Sequence, residues 1–134
     1  MGQKVNAHLI RVGPVFGWES RWFGGKTYKD TLLADYKIRK SLMEKLRFAG
    51  VSRTEIDRSI NSVKLIAFVS KPGMVIGRSG AGIEELKKFV QTLMLTLVKD
   101  KKHMPKLDIV VEPIKEPNLD AYLVAKNVSD QLIK

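Results

Sequence analysis

Apolar residues recur every three or four positions in three stretches of the chain, and this is the spacing of an amphipathic helix. The first stretch follows a helix-start signal at Thr27-Tyr28-Lys29-Asp30 and ends at Gly50. The second occupies residues 83–98, and the third follows Pro117-Asn118 and continues to the last residues of the chain. The pattern therefore predicts a helix in each of these stretches.

Two strands are predicted between the first helix and the second. They occupy residues 51–60 and 63–70 and are separated near Asn61-Ser62. Residues 63–70 are apolar on both faces in their middle, so this strand is expected to lie centrally in a sheet. A third strand follows Pro105. Because a crossover of two helices separates it from the central strand, the two are expected to run parallel.

A glycine-punctuated loop lies between the central strand and the second long helix. Pro72 is placed to start a short helix, and Gly77-Arg78-Ser79-Gly80 follows it. Glycine permits positive φ and leaves a backbone surface without Cβ atoms, so a polyanion can approach closely. The next helix presents unpaired N–H groups and the positive end of its dipole, and Arg78 adds a cation. The loop is therefore predicted to bind phosphate groups.

Two other phosphate-binding motifs fit this loop only in part. Gly77 and Gly82 have the spacing of G-x-x-x-x-G-K-[ST], but Ile83-Glu84 stands where the lysine and the hydroxyl residue are required. The dinucleotide pattern G-x-G-x-x-G would need a glycine at Glu85. An ordinary glycine-rich turn is the alternative that stays open. Glu84 and Glu85 are expected to point away from a phosphate bound at the loop.

The composition indicates an anionic partner. The chain has 134 residues and a formal net charge of +10, which suits nucleic acid or a membrane surface. Residues 83–98 lack the broad aromatic face of a membrane-surface helix, so nucleic acid is favoured. The chain has no cysteine, no hydrophobic signal core at its start and no apolar run of spanning length. His8 and His103 lack an acidic or hydroxyl constellation, so neither catalysis nor a cofactor is expected.

Residues 1–26 show neither helical nor strand periodicity and are predicted to form an extended arm. They combine basic residues with aromatic rings, a composition suited to a segment that becomes ordered on RNA or on a neighbouring protein. Residues 5–15 are expected to be extended. Trp18, Trp22 and Phe23 either make such contacts or cover the core of the domain, and the sequence does not distinguish the two.

The predicted elements follow one another as helix, strand, strand, short helix, loop, helix, strand and helix. This order, with its G-x-x-G loop, resembles the type II KH domain. The resemblance implies an α+β fold (α-β-β-α-α-β) with a three-stranded mixed sheet, helices on one face, and a loop that clamps the backbone of about four nucleotides. We divide the chain into an extended N-terminal arm (1–26), a type II KH RNA-binding domain (27–116) and a C-terminal helix (117–134).

Specific motifs are distributed along nearly the whole chain. They are Met1-Gly2-Gln3-Lys4-Val5, Arg11-Val12-Gly13, Trp18-x-Ser20-x-Trp22-Phe23, Lys71-Pro72-Gly73-x-Val75-Ile76-Gly77-x-x-Gly80 and Leu119-Asp120-Ala121-x-Leu123-Val124-Ala125. These motifs are similar to those of a ribosomal protein family, the bacterial-type third protein of the small subunit. Where that family often has a second basic residue in the loop, this chain has Ser79, which predicts one fewer charge contact.

The resemblance implies a structural protein with no catalysis of its own, on a cytoplasmic or organellar ribosome. It would bind ribosomal RNA of the subunit head and lie near the entry path of messenger RNA. Its neighbours would include the small-subunit proteins numbered two, ten and fourteen. The family continues into a second domain after the C-terminal helix, and that domain is absent from this sequence, so its activity is not assigned.

The predicted RNA-binding residues form two groups. Near the loop, phosphates would be held by Gly77, Arg78, Ser79 and Gly80, with positive potential from Lys71, Lys87 and Lys88. In the arm, the anchors would be Lys4, Arg11 and Arg21. The alternative is a free adaptor that binds single-stranded RNA outside the ribosome. Such an adaptor would bind mainly through the loop, with little role for the arm.

Overall fold

The computed structural model describes residues 2–97 and 105–133. The helices within them are α1 (Ala7–Arg11), α2 (Tyr28–Lys45), α3 (Pro72–Ile76), α4 (Ala81–Leu97) and α5 (Ala121–Leu132). The strands are β1 (Ser20–Arg21), β2 (Val51–Arg58), β3 (Ser62–Val69) and β4 (Lys106–Pro113). Short 3-10 turns cover Arg47–Ala49, Arg78–Gly80 and Pro117–Leu119.

The predicted helices and strands are confirmed within the described residues, and a tight turn with a glycine follows α2, the first of the predicted helices. α2 begins directly after Thr27, although the Thr27 side chain makes no capping hydrogen bond. At the other end the chain tightens into the Arg47–Ala49 turn, and Gly50 leaves this turn with a φ of +66°. Val98, the predicted end of the second long helix, and His103 lie outside the described residues.

The strands form one mixed sheet in the order β1-β2-β3-β4. β2 and β3 are antiparallel. β3 and β4 are parallel, as the length of the crossover predicted, with Leu65 opposite Ile109. The predicted three-stranded sheet is correct for β2 to β4 but incomplete. β1, from the N-terminal arm, adds to the edge of β2 in parallel, with Ser20 opposite Ile56.

The expectation that residues 5–15 are extended is wrong, because Ala7–Arg11 form α1. The cause is the side chain of Asn6, which caps the helix. Its Oδ1 atom accepts hydrogen bonds from the amides of His8 at 2.8 Å and Leu9 at 3.2 Å. A single capping residue therefore starts a short helix in a segment whose apolar residues show no helical spacing.

The core lies between the sheet and the helices α2 and α4. Alternate residues of β3 share one face and are buried there: Val63, Leu65, Ala67 and Val69. Ile38 and Leu42 of α2 and Val90 and Met94 of α4 belong to the same cluster and are almost fully buried. Each of the larger side chains stabilises the fold by roughly 1.5–3 kcal/mol relative to an exposed one. This packing fixes the position of the segment that joins β3 to α4.

Trp18, Trp22 and Phe23 of the arm differ in exposure. Trp22 is half-buried, and its Nε1 donates a hydrogen bond to Oδ2 of Asp35 in α2 at 2.8 Å. Trp18 is 61% exposed and Phe23 is 99% exposed. Of the two alternatives for these residues, packing on the domain therefore applies to Trp22, whereas Trp18 and Phe23 leave most of their surface open.

Candidate RNA-binding surface

The loop of residues 77–80 passes twice through left-handed backbone conformations at glycine. Gly77 has a φ of +69° and Gly80 a φ of +82°, in a range that residues with a side chain rarely adopt. Gly77 also ends α3, because its amide donates a hydrogen bond to the Gly73 carbonyl at 3.0 Å. The predicted positive φ at both glycines is confirmed.

Ser79 also has a positive φ, of 55°, although it carries a side chain. This conformation is costly for serine because its Cβ approaches the backbone, and such residues cluster at ligand-binding sites. Arg78 and Ser79 are both exposed. The loop therefore presents a guanidinium and a hydroxyl group between two glycines.

The loop is held in shape by a close approach of α3 to the start of α4. A Cβ atom at Gly82 would lie 2.3 Å from the carbonyl oxygen of Val75 and 3.0 Å from that of Ile76. A Cβ atom at Gly77 would lie 3.1 Å from the Gly82 amide nitrogen. Gly82, which resembled part of a nucleotide-binding motif, therefore serves to let the backbones of the two helices meet.

Four predicted cationic residues lie on the continuous segment around this loop. Lys71 precedes α3 directly, Arg78 is in the loop, and Lys87 and Lys88 lie in the second turn of α4. Lys71, Arg78 and Lys88 are exposed and Lys87 is half-buried. None of the four makes an ion pair with another residue of ranges 2–97 and 105–133. Their charges are therefore available to an external anion.

The carboxylate of Glu85, close to the loop in sequence, is engaged by another helix. Lys45 Nζ of α2 lies 2.8 Å from Glu85 Oε1 and also 4.4 Å from the centre of the Phe89 ring. The hydrogen bond from Lys45, with its positive charge, lowers the pKa of Glu85 below its ordinary value. Lys45 thus compensates a negative charge that would otherwise oppose phosphate binding.

The predicted arm residues are not brought to the loop as one group. Arg21 lies on β1 opposite Asp57, and Asp57 pairs with Lys64 near the start of β3. The loop of residues 77–80 comes after the other end of β3. Lys64 and Val69, the last residue of β3, are about 17 Å apart along the strand. The Arg21 Nε donates to Asp57 at 2.6 Å, and this bond raises the pKa of the Arg21 guanidinium. Arg11 Nη1 donates to the Ala7 carbonyl at 2.7 Å, and Lys4 is exposed.

Sequence reasoning missed a cleft on the other side of Lys71. Its walls include Phe48 of the 3-10 turn and Lys126 of α5. The core residues Leu42, Leu46 and Ala49 of this segment follow a helical spacing that does not include Phe48. This is the sequence feature that could have indicated an exposed aromatic ring. An aromatic residue at a position that the core does not use must lie on the surface.

The described residues contain no group of three or more histidine and acidic side chains that could hold a metal ion. None of the helices in that part of the chain is long and apolar enough to cross a membrane. The side chains exposed around the loop include the Ser79 hydroxyl group and the cations of Lys71, Arg78 and Lys88.

Comparison with known proteins identifies the fold family. Residues 37–119 match the KH domain family. A curated relative from Agathobacter rectalis, named small ribosomal subunit protein uS3, is 46% identical over 132 residues, which are 98% of this chain and 56% of the relative. The uS3 protein of Acetivibrio thermocellus is 42% identical over 135 residues, covering 100% of this chain and 56% of the relative. The chain thus spans little more than half the length of these relatives.

The resemblance inferred from the sequence motifs is confirmed by these matches. The KH match includes α3, the loop of residues 77–80, α4 and all of β2, β3 and β4. The similarity to uS3 proteins extends beyond the KH match into the arm and α5. The chain therefore belongs to the KH domain family.

Proposed function

We propose that this chain is a structural, non-enzymatic, RNA-binding component of the small ribosomal subunit. The observation that carries the proposal is the loop of residues 77–80, with positive φ at Gly77, Ser79 and Gly80 and an exposed Arg78. Support comes from relatives that match 98% and 100% of this chain and are named small ribosomal subunit proteins.

The proposed contact is made to the sugar-phosphate backbone. Gly77 and Gly80 let a phosphate approach the main chain, the Ser79 hydroxyl group donates a hydrogen bond, and Arg78 supplies a planar fork of donors. The start of α4 contributes the positive end of its dipole. Lys71, Lys87 and Lys88 raise the local positive potential. Such contacts position the RNA and carry little sequence information.

The arm forms the second part of the proposed interface. Lys4 and Arg11 bind RNA directly in this proposal. Arg21 does so while keeping its ion pair with Asp57, since part of its side chain stays exposed. Because the arm is tied to the sheet through β1, its position relative to the domain is set before RNA binds. This lowers the entropic cost of ordering the segment on its partner.

We place the chain in the head of the subunit, near the entry path of messenger RNA, on a cytoplasmic or organellar ribosome. Its proposed partners are small-subunit ribosomal RNA, messenger RNA, and the small-subunit proteins numbered two, ten and fourteen. This placement rests on the family resemblance.

The double variant Arg78→Asp with Ser79→Asp tests the loop. Aspartate tolerates a positive φ better than most residues, so circular dichroism should stay native. Affinity for single-stranded RNA should fall, and the slope of log affinity against log salt should shrink by about 0.7 for each lost phosphate contact. Both quantities can be measured by fluorescence anisotropy across a salt series.

The matched control is Lys29→Asp with Ser59→Asp. It changes the net charge by the same amount at two exposed positions outside the proposed interface. The control should lose much less affinity than the loop variant. Unchanged affinity in a natively folded loop variant would show that the loop is not the RNA-binding site.

A further inference from the structure

The cleft beside Lys71 is separate from the loop of residues 77–80. It has a volume of about 370 Å³ and lies between the 3-10 turn Arg47–Ala49, the end of β3 and the helix α5. α5 is held against the domain by polar contacts, among them an ion pair of 2.9 Å between Arg47 and Asp130 and a hydrogen bond from Ser52 to Asp120. None of the residues of α5 is buried. The cleft is therefore an open groove between the domain and a helix that polar contacts hold beside it.

Phe48 is the aromatic residue of this cleft, and its side chain is 83% exposed. Leu46, which precedes its turn, and Ala49, the last residue of the turn, are buried. The Ala49 carbonyl accepts hydrogen bonds from the Lys71 amide and the Ser70 hydroxyl group, each at 3.1 Å. The ring is thus exposed on a turn whose backbone is fixed by the core and by β3.

The floor of the cleft is shaped by Gly50. This residue has a φ of +66°, and a Cβ atom there would lie 2.3 Å from the Ser70 Oγ. Its carbonyl accepts a hydrogen bond from the Ser70 amide at 2.9 Å. A side chain at this position would be strained and would meet the Ser70 hydroxyl group, so glycine leaves this part of the cleft lining without a side chain.

Charged and amide groups also line the cleft. The cleft contains Arg47, Lys71 and Lys126 against a single carboxylate, Asp130, which Arg47 already pairs. Lys126 Nζ lies 3.4 Å from the Arg47 carbonyl oxygen. Asn118 and Asn127 add side-chain amides, which can both donate and accept hydrogen bonds. The net positive charge is complementary to a phosphate group.

We propose that this cleft binds one nucleotide of single-stranded RNA. The base stacks on Phe48, its phosphate contacts Lys71 and Lys126, and the asparagine amides face the edge of the base. An exposed ring among cations is the arrangement by which proteins hold single strands. This inference rests on the proposed RNA binding and adds to it a site outside the G-x-x-G loop, separated from the loop by the five residues of α3.

The test uses an RNA twelve nucleotides long that carries 5-iodouridine, with the full 134-residue chain. Irradiation should join the uridine to Phe48, and mass spectrometry of the peptides should locate the adduct. In anisotropy titrations with the same RNA, Phe48→Leu should weaken binding by roughly 5- to 150-fold, because one stacked base is lost. Phe48→Tyr keeps the ring and should bind like the parent chain.

Ile60→Ala is the control for loss of an exposed apolar side chain, since Ile60 is 99% exposed in the turn between β2 and β3. It should leave the affinity unchanged. The inference is overturned if Phe48→Leu binds RNA normally and no adduct forms at Phe48, which would leave the ring to a protein contact.

The loop variant separates this inference from the proposed function. If Arg78→Asp with Ser79→Asp loses affinity while Phe48→Leu does not, RNA binding by the loop stands and the cleft is excluded. Failure of the unaltered chain to bind the RNA at all would contradict both proposals.

Discussion

Asp35 is a charged residue on the buried side of α2. Its Oδ2 accepts a hydrogen bond from Trp22 Nε1 at 2.8 Å, and its Oδ1 accepts one from Arg58 Nε at 2.7 Å. Trp22 comes from the arm and Arg58 from the end of β2, so a single carboxylate joins three segments. A buried charge is tolerated only when it is paired and hydrogen-bonded in this way. This residue explains why the arm is attached at this position.

We expect Asp35→Asn to lower the free energy of unfolding by about 3 kcal/mol. An asparagine has one acceptor oxygen in place of two, so either Trp22 or Arg58 loses its partner, and the arginine is left without a counter-charge. Urea unfolding followed by tryptophan fluorescence measures the change. Asp30→Asn, at an exposed position in the first turn of the same helix, should cost less than about 1 kcal/mol. Equal losses in the two variants would show that the buried cluster has no special role.

At the scale of whole elements, the site depends on how α3 meets α4. The two helices contact each other through backbone, at Gly82 and the carbonyl oxygens of Val75 and Ile76. The position of the loop between them follows from this contact. Gly82 lies inside α4, so the close backbone contact, and not a loop, is the reason for a glycine at this position.

A pair of glycine-to-alanine variants tests this contact. Gly82→Ala should lower the free energy of unfolding by about 1–3 kcal/mol, because its Cβ would collide with the Val75 carbonyl. Gly73→Ala, within α3 and with open space around it, should instead stabilise the protein by up to about 1 kcal/mol. Thermal unfolding compares them. A stabilised Gly82→Ala variant would mean that the helices do not approach so closely.

The sequence predicted the elements that carry strong periodicity and missed those set by single contacts. The helices α2 and α4 and the strand β3 follow from their apolar spacing, and the loop glycines follow from the motif. α1 depends on one cap at Asn6, and β1 depends on pairing with β2 across a long sequence distance. The Phe48 cleft exists only once α5 folds back beside the 3-10 turn. Such tertiary contacts have no periodic signal in the chain.

At the level of the whole molecule, two groups of cations can be compared. Arg21, Arg39, Arg47 and Arg58 make ion pairs that connect the arm or α5 to the domain and β2 to α2. The lysines and Arg78 around the loop make none among the described residues. Within the net charge of +10, the cations around the loop are among those that the fold does not pair. Unpaired cations beside an arm that ion pairs hold to the domain are expected of a protein that binds a polyanion.

If the chain is a component of the small ribosomal subunit, it should migrate with small-subunit particles when an extract of its source cells is separated by gradient sedimentation at moderate salt. Recovery of the chain only in the light fractions would show that it is not such a component.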